Sequence, residues 1–529
     1  MRSLFRPGRS VVHCINGAAA SSHPLSSLAA VEVLRQGGNA IDAAVTACAV
    51  QCVVEPMSTG IGGDCFVLYS PGGSRDVVAL NGSGRAPAGL DAAQLQAQGL
   101  SSIPTESPHA VTIPGAIDAW SRLLADHGTW DLARVLAPAI TYAEEGFAVT
   151  PRVAWDWSRS GSRFSNPETG ARFYLKDGVA PVAGERWASP ELAATLRRIA
   201  RDGRDGFYKG PVAEDIVGFL NGLGGRHSLD DFASHTSEYV TPISSRYRDH
   251  EVLQIPPNGQ GITTLILLNI LQGYELSGLD PNGALRLHLE AEATRLAFDA
   301  RNQHVGDPAH GAVPVERLLS ADFAAEQRAT IDPERAGRPL DSAGLAAYRD
   351  TVYLTVVDKD RNAVSFINSL YFPFGSTLVA PESGVMLQNR GAGFRVEPGH
   401  PNCVAPGKRP LHTIIPGMVF EGDRLKWSYG VMGGGYQPVG HAHVLTNMID
   451  YGMDEQEALD NPRAFYEDGT YYLEEGIPDG VAAALQGMGH NVKPAGNPYG
   501  GGQIIGIDWD NGTLAAASEP RKDGIAIGY

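Results

Sequence analysis

The chain has 529 residues, of which 43% are apolar and 19% charged, the proportions of a soluble globular protein long enough to bury a large core and to allow about two to four domains. Its formal net charge of −17, from 42 basic and 59 acidic residues, argues against a surface for nucleic acid or anionic membrane. No run of about 18 apolar residues occurs, so no membrane-spanning helix is predicted.

At the start, Met1-Arg2-Ser3-Leu4-Phe5-Arg6-Pro7-Gly8-Arg9 is basic but is followed by no apolar segment of leader length, and a cytoplasmic protein is expected. From His23 to Val54 apolar residues recur at helical spacing, with Gly37-Gly38-Asn39 dividing two helices. A glycine-rich turn, Thr59-Gly60-Ile61-Gly62-Gly63-Asp64, leads into the strand-like Cys65-Phe66-Val67-Leu68-Tyr69. Helical patterns dominate from Pro114 to about Leu223; Glu251-Val252-Leu253-Gln254-Ile255 then reads as a strand entering a Pro-Pro turn and another apolar helix. Residues of about 336–350 read as a linker. Asp350-Thr351-Val352-Tyr353-Leu354-Thr355-Val356-Val357-Asp358, continuing to Phe366, reads as a β-hairpin. Beyond it strands and turns prevail, with Gly433-Gly434-Gly435 and Gly500-Gly501-Gly502 as markers. Strands and helices at both ends of a helical middle suggest layered sheets covered by helices.

The five cysteines, Cys14, Cys48, Cys52, Cys65 and Cys403, form no CxxC pair, and Cys48 and Cys52 fit a packed helix. No GxSxG elbow, HExxH pair or phosphate loop is present. His441 and His443, two residues apart, point to different helix faces and are poor partners for a shared metal. Thr351 is the sharper candidate. If the chain is cut just before it, its α-amine, with a pKa of about 7.7–8.0, becomes a base on the same residue as the hydroxyl nucleophile; uncut, it is an ordinary strand threonine. Gly433 and Gly434, at a strand-to-helix turn, can aim backbone N–H groups at one oxyanion, or serve only the sterics of a tight turn. Arg85, in Asn81-Gly82-Ser83-Gly84-Arg85, can fork onto a carboxylate or stay solvated.

The order of these segments resembles the γ-glutamyltransferase family of N-terminal-nucleophile (Ntn) hydrolases over nearly the whole chain. The resemblance is carried by His23-Pro24-Leu25, Gly37-Gly38-Asn39-Ala40-Ile41-Asp42-Ala43-Ala44, Val54-Glu55-Pro56 and Ser58-Thr59-Gly60-Ile61-Gly62-Gly63. It continues through Pro114-Gly115-Ala116, Pro256-Pro257 with Gly261-Ile262, the Thr351 hairpin, Gly407-Lys408-Arg409-Pro410-Leu411, Gly433-Gly434 and Ser518-Glu519-Pro520-Arg521 with Gly528-Tyr529. It implies an αββα sandwich of two stacked, mainly antiparallel sheets and a proenzyme that cuts itself into subunits 1–350 and 351–529, intertwined in one domain. Thr351 falls on the family's nucleophile, and Gly433 and Gly434 on its oxyanion glycines. Ser369 matches a hydroxyl beside the nucleophile, Tyr371 replaces a nearby asparagine, and His412-Thr413 replace a serine pair that contacts substrate.

Two departures bear on the substrate. The family's γ-glutamyl transferases hold the α-carboxylate with an arginine where this chain has Ser83, with Arg85 two residues on. They hold the α-amine with an aspartate in an acidic segment, whereas Leu387-Gln388-Asn389-Arg390-Gly391-Ala392-Gly393-Phe394 has no acid. An ammonium needs a carboxylate to be desolvated at modest cost, so Arg85 and Arg390 suit a carboxylate without an α-amine. The family default is hydrolysis of γ-glutamyl amides of the glutathione type, with transfer to an amine left open. The alternatives are a small acidic amide such as oxamate, or a β-lactam side-chain acylase, in a divergent cytoplasmic branch. Outside catalysis stands a binding homologue that never matures. No cofactor, metal, nucleic acid or membrane is called for; the expected partners are a small amide substrate and the two subunits of one precursor, with homo-oligomerisation left open.

Overall fold

A computed structural model describes residues 8–164, 170–340 and 351–529. The greater part of the expected linker, with Asp350, lies outside the described residues. The fourteen strands of the two large sheets are β1 (Val12–Cys14), β2 (Ala18–Ser21), β3 (Asp64–Ser70), β4 (Val78–Gly82), β5 (Glu238–Val240), β6 (Ile243–Tyr247), β7 (His250–Gln254), β8 (Val352–Val357), β9 (Ala363–Ser369), β10 (Gly417–Glu421), β11 (Arg424–Met432), β12 (Gly501–Asp508), β13 (Thr513–Ser518) and β14 (Ile525–Gly528). One sheet has the order β14-β2-β8-β9-β3-β4-β5 and the other β1-β13-β12-β11-β10-β7-β6. Every pairing in both is antiparallel. Each sheet contains strands from before and from after Thr351, so neither part could complete a sheet alone.

Two helices, α1 (Pro24–Arg35) and α2 (Ala40–Val54), cover the outer face of the first sheet. α2 is buried along its whole length, the expected place for a helix apolar all round. Asn39 and Asp42 form a capping box at its start, and Gly37 ends the preceding turn with φ of 90°, so the predicted break falls where expected. Cys48 and Cys52 are free and packed within α2. The second sheet is covered by α3 (Gly261–Leu271) and α5 (Gln437–Ile449), with α4 (Ala284–His304) packed on both. The layers are therefore helix, sheet, sheet, helix, as the sequence led one to expect. Among the described residues no helix is long and apolar enough to cross a membrane.

The predicted hairpin is β8 and β9, in register from Val352 opposite Asn368 to Val357 opposite Ala363. Asp358 closes its turn by accepting from the N–H groups of Asp360 (2.9 Å) and Asn362 (3.0 Å). Alternation along β8 sends Leu354 and Val356 into the helix-covered core. It sends Tyr353 and Val357 between the sheets, against Met418, Phe420 and Ile505. β11 lies directly across, and a Cβ at Gly430 would come within 2.5 Å of the Tyr353 ring. Thr351 has the parity of Tyr353, so its side chain belongs to this inter-sheet face at the end of the strand.

Candidate active site

The site begins with register. Continuing the β8–β9 pairing by one residue sets Thr351 opposite Ser369, β9–β3 pairs Ser369 with Asp64, and one step beyond Cys65↔Gly82 in β3–β4 sets Asp64 opposite Ser83. Thr351, Ser369, Asp64 and Ser83 thus form one row across four strands, and all four are buried. The glycine-rich turn before β3 fits over this row only without side chains: a Cβ at Gly63 would run into the Ser369 carbonyl.

Ser369 is the hub beside the candidate nucleophile. Its Oγ lies 3.0 Å from Thr351 Oγ1, accepts from the Tyr371 N–H at 2.9 Å and faces Arg390 Nη2 at 3.4 Å. A hydroxyl has two acceptor lone pairs and one proton. With both lone pairs engaged, Ser369 donates to Thr351 Oγ1, and Thr351 keeps its own proton for another acceptor. Tyr371 is held at φ of 84°, an uncommon conformation for a non-glycine residue.

Arg390 is fully buried. It donates to Thr413 Oγ1 at 2.7 Å, stacks over the Tyr371 ring at 4.1 Å, and its Nε has no hydrogen-bond partner among the described residues. None of the ion pairs among the described residues includes it. Burial pushes its pKa down to about 10, with Tyr371 and Asp64 opposing. A desolvated cation held by neutral groups is a receptor for an anion.

The acid of the row is already satisfied. Asp64 accepts from Gly84 N (2.9 Å), Gly115 N (3.1 Å), Gln388 Nε2 (2.8 Å) and His412 Nε2 (2.9 Å). Burial, reinforced by the Arg390 charge, pushes the His412 pKa down to about 4, so the imidazole is neutral and donates from Nε2. Sequence reasoning missed Asp64, Gln388 and Gln260; the one local signal for Asp64 was its place after Gly62-Gly63 at a strand start. Arg85 stands apart from this cluster. Beyond the end of β4 its guanidinium turns to Glu238 at 2.6 Å and to the Gly407 carbonyl at 3.2 Å.

At the end of β11, Gly433 (φ 134°) and Gly434 (φ 56°) make the turn into α5. The Gly433 carbonyl accepts from Tyr436 N at 3.0 Å. The trans peptide then aims the Gly434 N–H the opposite way, out of the turn. Gln260 Nε2 reaches both the Gly434 carbonyl (3.1 Å) and the Thr413 carbonyl (2.7 Å). Thr351, Ser369, Arg390, Thr413, Gln260 and Gly434 are therefore linked in one buried hydrogen-bonded chain, with Tyr371 and His412 at its side. A cavity lined by Phe298, Arg301, Leu340, Gly435, Phe465 and Tyr466 adjoins the turn.

The one group among the described residues with metal-ligand spacing is His288, Glu292 and His490. Its donors are engaged with protein: His288 Nδ1 with His490 Nε2 at 2.8 Å, and Glu292 with Arg295 at 2.6 Å. It shares no hydrogen bond with the Thr351 cluster. His441 and His443 are separately buried, against Gln254 and Glu290 respectively.

Two facing antiparallel sheets between helical layers are the architecture of Ntn hydrolases, and comparison with known proteins agrees. The family described as gamma-glutamyltranspeptidase matches residues 26–529. The chain is 38% identical over 521 residues to the glutathione hydrolase-like YwrD proenzyme of Bacillus subtilis (strain 168), covering 96% of this chain and 97% of that one. It is 34% identical over 531 residues to the oxamate amidohydrolase proenzyme of Klebsiella pneumoniae, covering 97% and 98%. The crystal structure of cephalosporin acylase from Bacillus halodurans superposes with a TM-score of 0.93 at 39% identity, covering 100% of this chain and 98% of that one. The chain belongs to the gamma-glutamyltranspeptidase family and is an enzyme of its Ntn amidohydrolase type.

Buried neutral histidines give the fold a pH dependence. His23, His227, His235 and His412 are pushed down to about 4 and His441 to about 3, in each case chiefly by burial. Unfolded, each titrates near 6.5, so below that pH the unfolded chain binds more protons and stability falls as pH drops toward 4. Buried Glu55, raised to about 7, and Asp358, also raised by burial, work in the opposite direction but are outnumbered by the histidines, His490 among them at about 4. The midpoint of thermal unfolding should therefore be highest above pH 6.5 and fall steadily to pH 4.5. His412→Gln should flatten that slope, and a flat wild-type profile would contradict the neutral, buried state of these rings.

Proposed function

We propose that the peptide bond between Asp350 and Thr351 is hydrolysed by the chain itself and that Thr351 becomes the nucleophile of an amide hydrolase. Its hydroxyl oxygen bonds to the substrate carbonyl carbon while its α-amine takes the proton. The N–H groups of Gly433 and Gly434 stabilise the oxyanion; the C–N bond breaks, and the amine leaves carrying the proton. Water, deprotonated by the same α-amine, then hydrolyses the ester on Thr351. The observation that carries this reading is the 3.0 Å contact between Ser369 Oγ and Thr351 Oγ1: with the Tyr371 N–H and Arg390 on the Ser369 lone pairs, a Ser369 proton given to Thr351 Oγ1 favours the developing alkoxide and leaves the Thr351 proton for the amine. The two products of cleavage would stay together, because their strands interleave in both sheets.

For the substrate we infer an acyl group bearing a carboxylate and no α-amine, with Arg390 as the carboxylate receptor and Tyr371, His412 and Thr413 shaping its surroundings. Asp64 is the one carboxylate of the row, and its four hydrogen bonds leave little for an ammonium. Oxamate and a glutaryl amide fit this description; the Klebsiella relative is named an oxamate amidohydrolase and the Bacillus halodurans one a cephalosporin acylase. The γ-glutamyl reading is the second one, favoured by the glutathione hydrolase-like relative.

A denaturing gel of purified protein should show two fragments whose junction is Asp350/Thr351, and Thr351→Ala should remain whole and lose activity by at least about 10³-fold. A Thr351→Ala chain still cut at this bond would refute the assignment, and an uncut wild type would favour a binding homologue. In a separate comparison, oxamate and glutaryl amides should be hydrolysed in preference to glutamine and glutathione. Arg390→Gln should lower kcat/KM for the carboxylate substrates by about 30- to 150-fold, equivalent to about 2–3 kcal/mol, the worth of a buried charge-assisted hydrogen bond. Preference for the α-amino substrates would overturn the inference on substrate.

A further inference from the structure

We propose that Gln260, oriented by Arg301, is a positioning residue that holds the Gly433–Gly434 turn in its observed conformation and couples it to the His412-Thr413 segment that partners Arg390. The proposal rests on the reading of Thr351 and the glycine pair given above.

Gln260 precedes α3 at the position where a side chain ordinarily caps a helix, yet it makes no capping bond. Its amide is spent elsewhere. The Gln260 backbone N–H donates to the His412 carbonyl at 2.8 Å, laying this segment alongside His412-Thr413. The side chain then uses both amide hydrogens on carbonyls, that of Thr413 at 2.7 Å and that of Gly434 at 3.1 Å.

An amide can fill such a gap in either of two orientations, and only one presents donors to the two carbonyls. Arg301 selects it. Its Nη1 donates to Gln260 Oε1 at 2.8 Å, and a guanidinium, having no acceptor, tolerates only the oxygen there. The other nitrogens hold Asn302 Oδ1 at 3.0 and 2.9 Å, and the group lies 4.2 Å over the Phe298 ring. Arg301 is 4% exposed, and no carboxylate pairs with it among the described residues. Burying a cation on neutral partners is costly, and a charged donor is the strongest means of fixing an amide.

The turn needs fixing because its conformation is cheap to change. Gly433 and Gly434 both sit at positive φ without a side chain to restrain them. Gly434 O shares its peptide with the Gly435 N–H, so release of that carbonyl would free ψ of Gly434 and loosen the turn on the far side of the 433–434 peptide, whose N–H is one of the proposed donors. With Gly433 O held by Tyr436 N, and Gly434 O held by the Gln437 N–H from within the turn and by Gln260 from outside it, the peptides on either side of Gly434 are pinned.

Gln260→Leu removes the donors at nearly constant volume. Gln260→Glu keeps the partner for Arg301 but offers no hydrogen to either carbonyl, and it guards against failure of the first variant to fold. In both, with glutaryl-p-nitroanilide as substrate, cleavage before Thr351 should be complete and KM should stay within about threefold. The rate constants of acylation and deacylation should fall together, by about 30- to 100-fold, since both steps form an oxyanion. Wild-type kcat in either variant, a loss confined to KM, or a fall in one step alone would overturn the proposal while leaving Thr351 as nucleophile. A wild-type protein that is uncut or inactive would instead bring down the parent reading, and this proposal with it.

Discussion

The antiparallel register that sets Thr351, Ser369, Asp64 and Ser83 in one row is the constraint on which the site depends. Register in a sheet buried on both faces is strongly specified, because a slip of one residue would turn every side chain to the opposite face. Here such a slip would drive Tyr353 out of the inter-sheet core and Leu354 and Val356 out of the helix-covered one. The large apolar core thereby holds a few polar atoms to within hydrogen-bonding tolerance. Because the strands of that core come from both sides of Thr351, cleavage before it would leave the register intact.

The electrostatics of the row are asymmetric. Asp64 is a buried carboxyl that accepts three hydrogen bonds on Oδ1 and one, from His412, on Oδ2, so it acts as an anchor for the Gly84 and Gly115 backbone, Gln388 and His412. Arg390 is a buried cation on hydroxyl partners, Ser369 and Thr413, with an aromatic ring beneath it. Beside the row Arg390 is the charge without a counter-ion, and Arg301, behind Gln260, is likewise buried on neutral partners; both are positive. That asymmetry separates an acyl group with a bare carboxylate from one that also carries an ammonium.

Much of this was legible in the chain. The hairpin from Thr351, the break at Gly37-Gly38-Asn39 and the glycine turn at Gly433 have local signatures, alternation or positive φ, and the structure has each where it was expected. Ser369, Tyr371 and Thr413 were placed by the family resemblance and Arg390 by the acid-free loop; Tyr371 and Arg390 meet at the Ser369 hydroxyl, and Thr413 joins them through Arg390. What was not legible was contact across long separations. Asp64 to His412, Gln260 to Gly434 and Arg301 to Gln260 depend on which strand ends the topology brings together, and no local pattern encodes that. Arg85 shows the converse: proximity in sequence to Ser83 suggested a stand-in, but β4 ends at Gly82 and the chain turns Arg85 toward Glu238.

The central claim is that Thr351 carries the acyl group as an ester at a newly made N-terminus. Rapid acid quench of the enzyme during turnover of a glutaryl amide, followed by proteolysis and mass spectrometry, reads this directly. The account predicts a peptide that begins at Thr351 and carries the added mass of the acyl group, absent when substrate is omitted. An acyl group found on another residue, or a Thr351 peptide still joined to Asp350 in fully active enzyme, would contradict it.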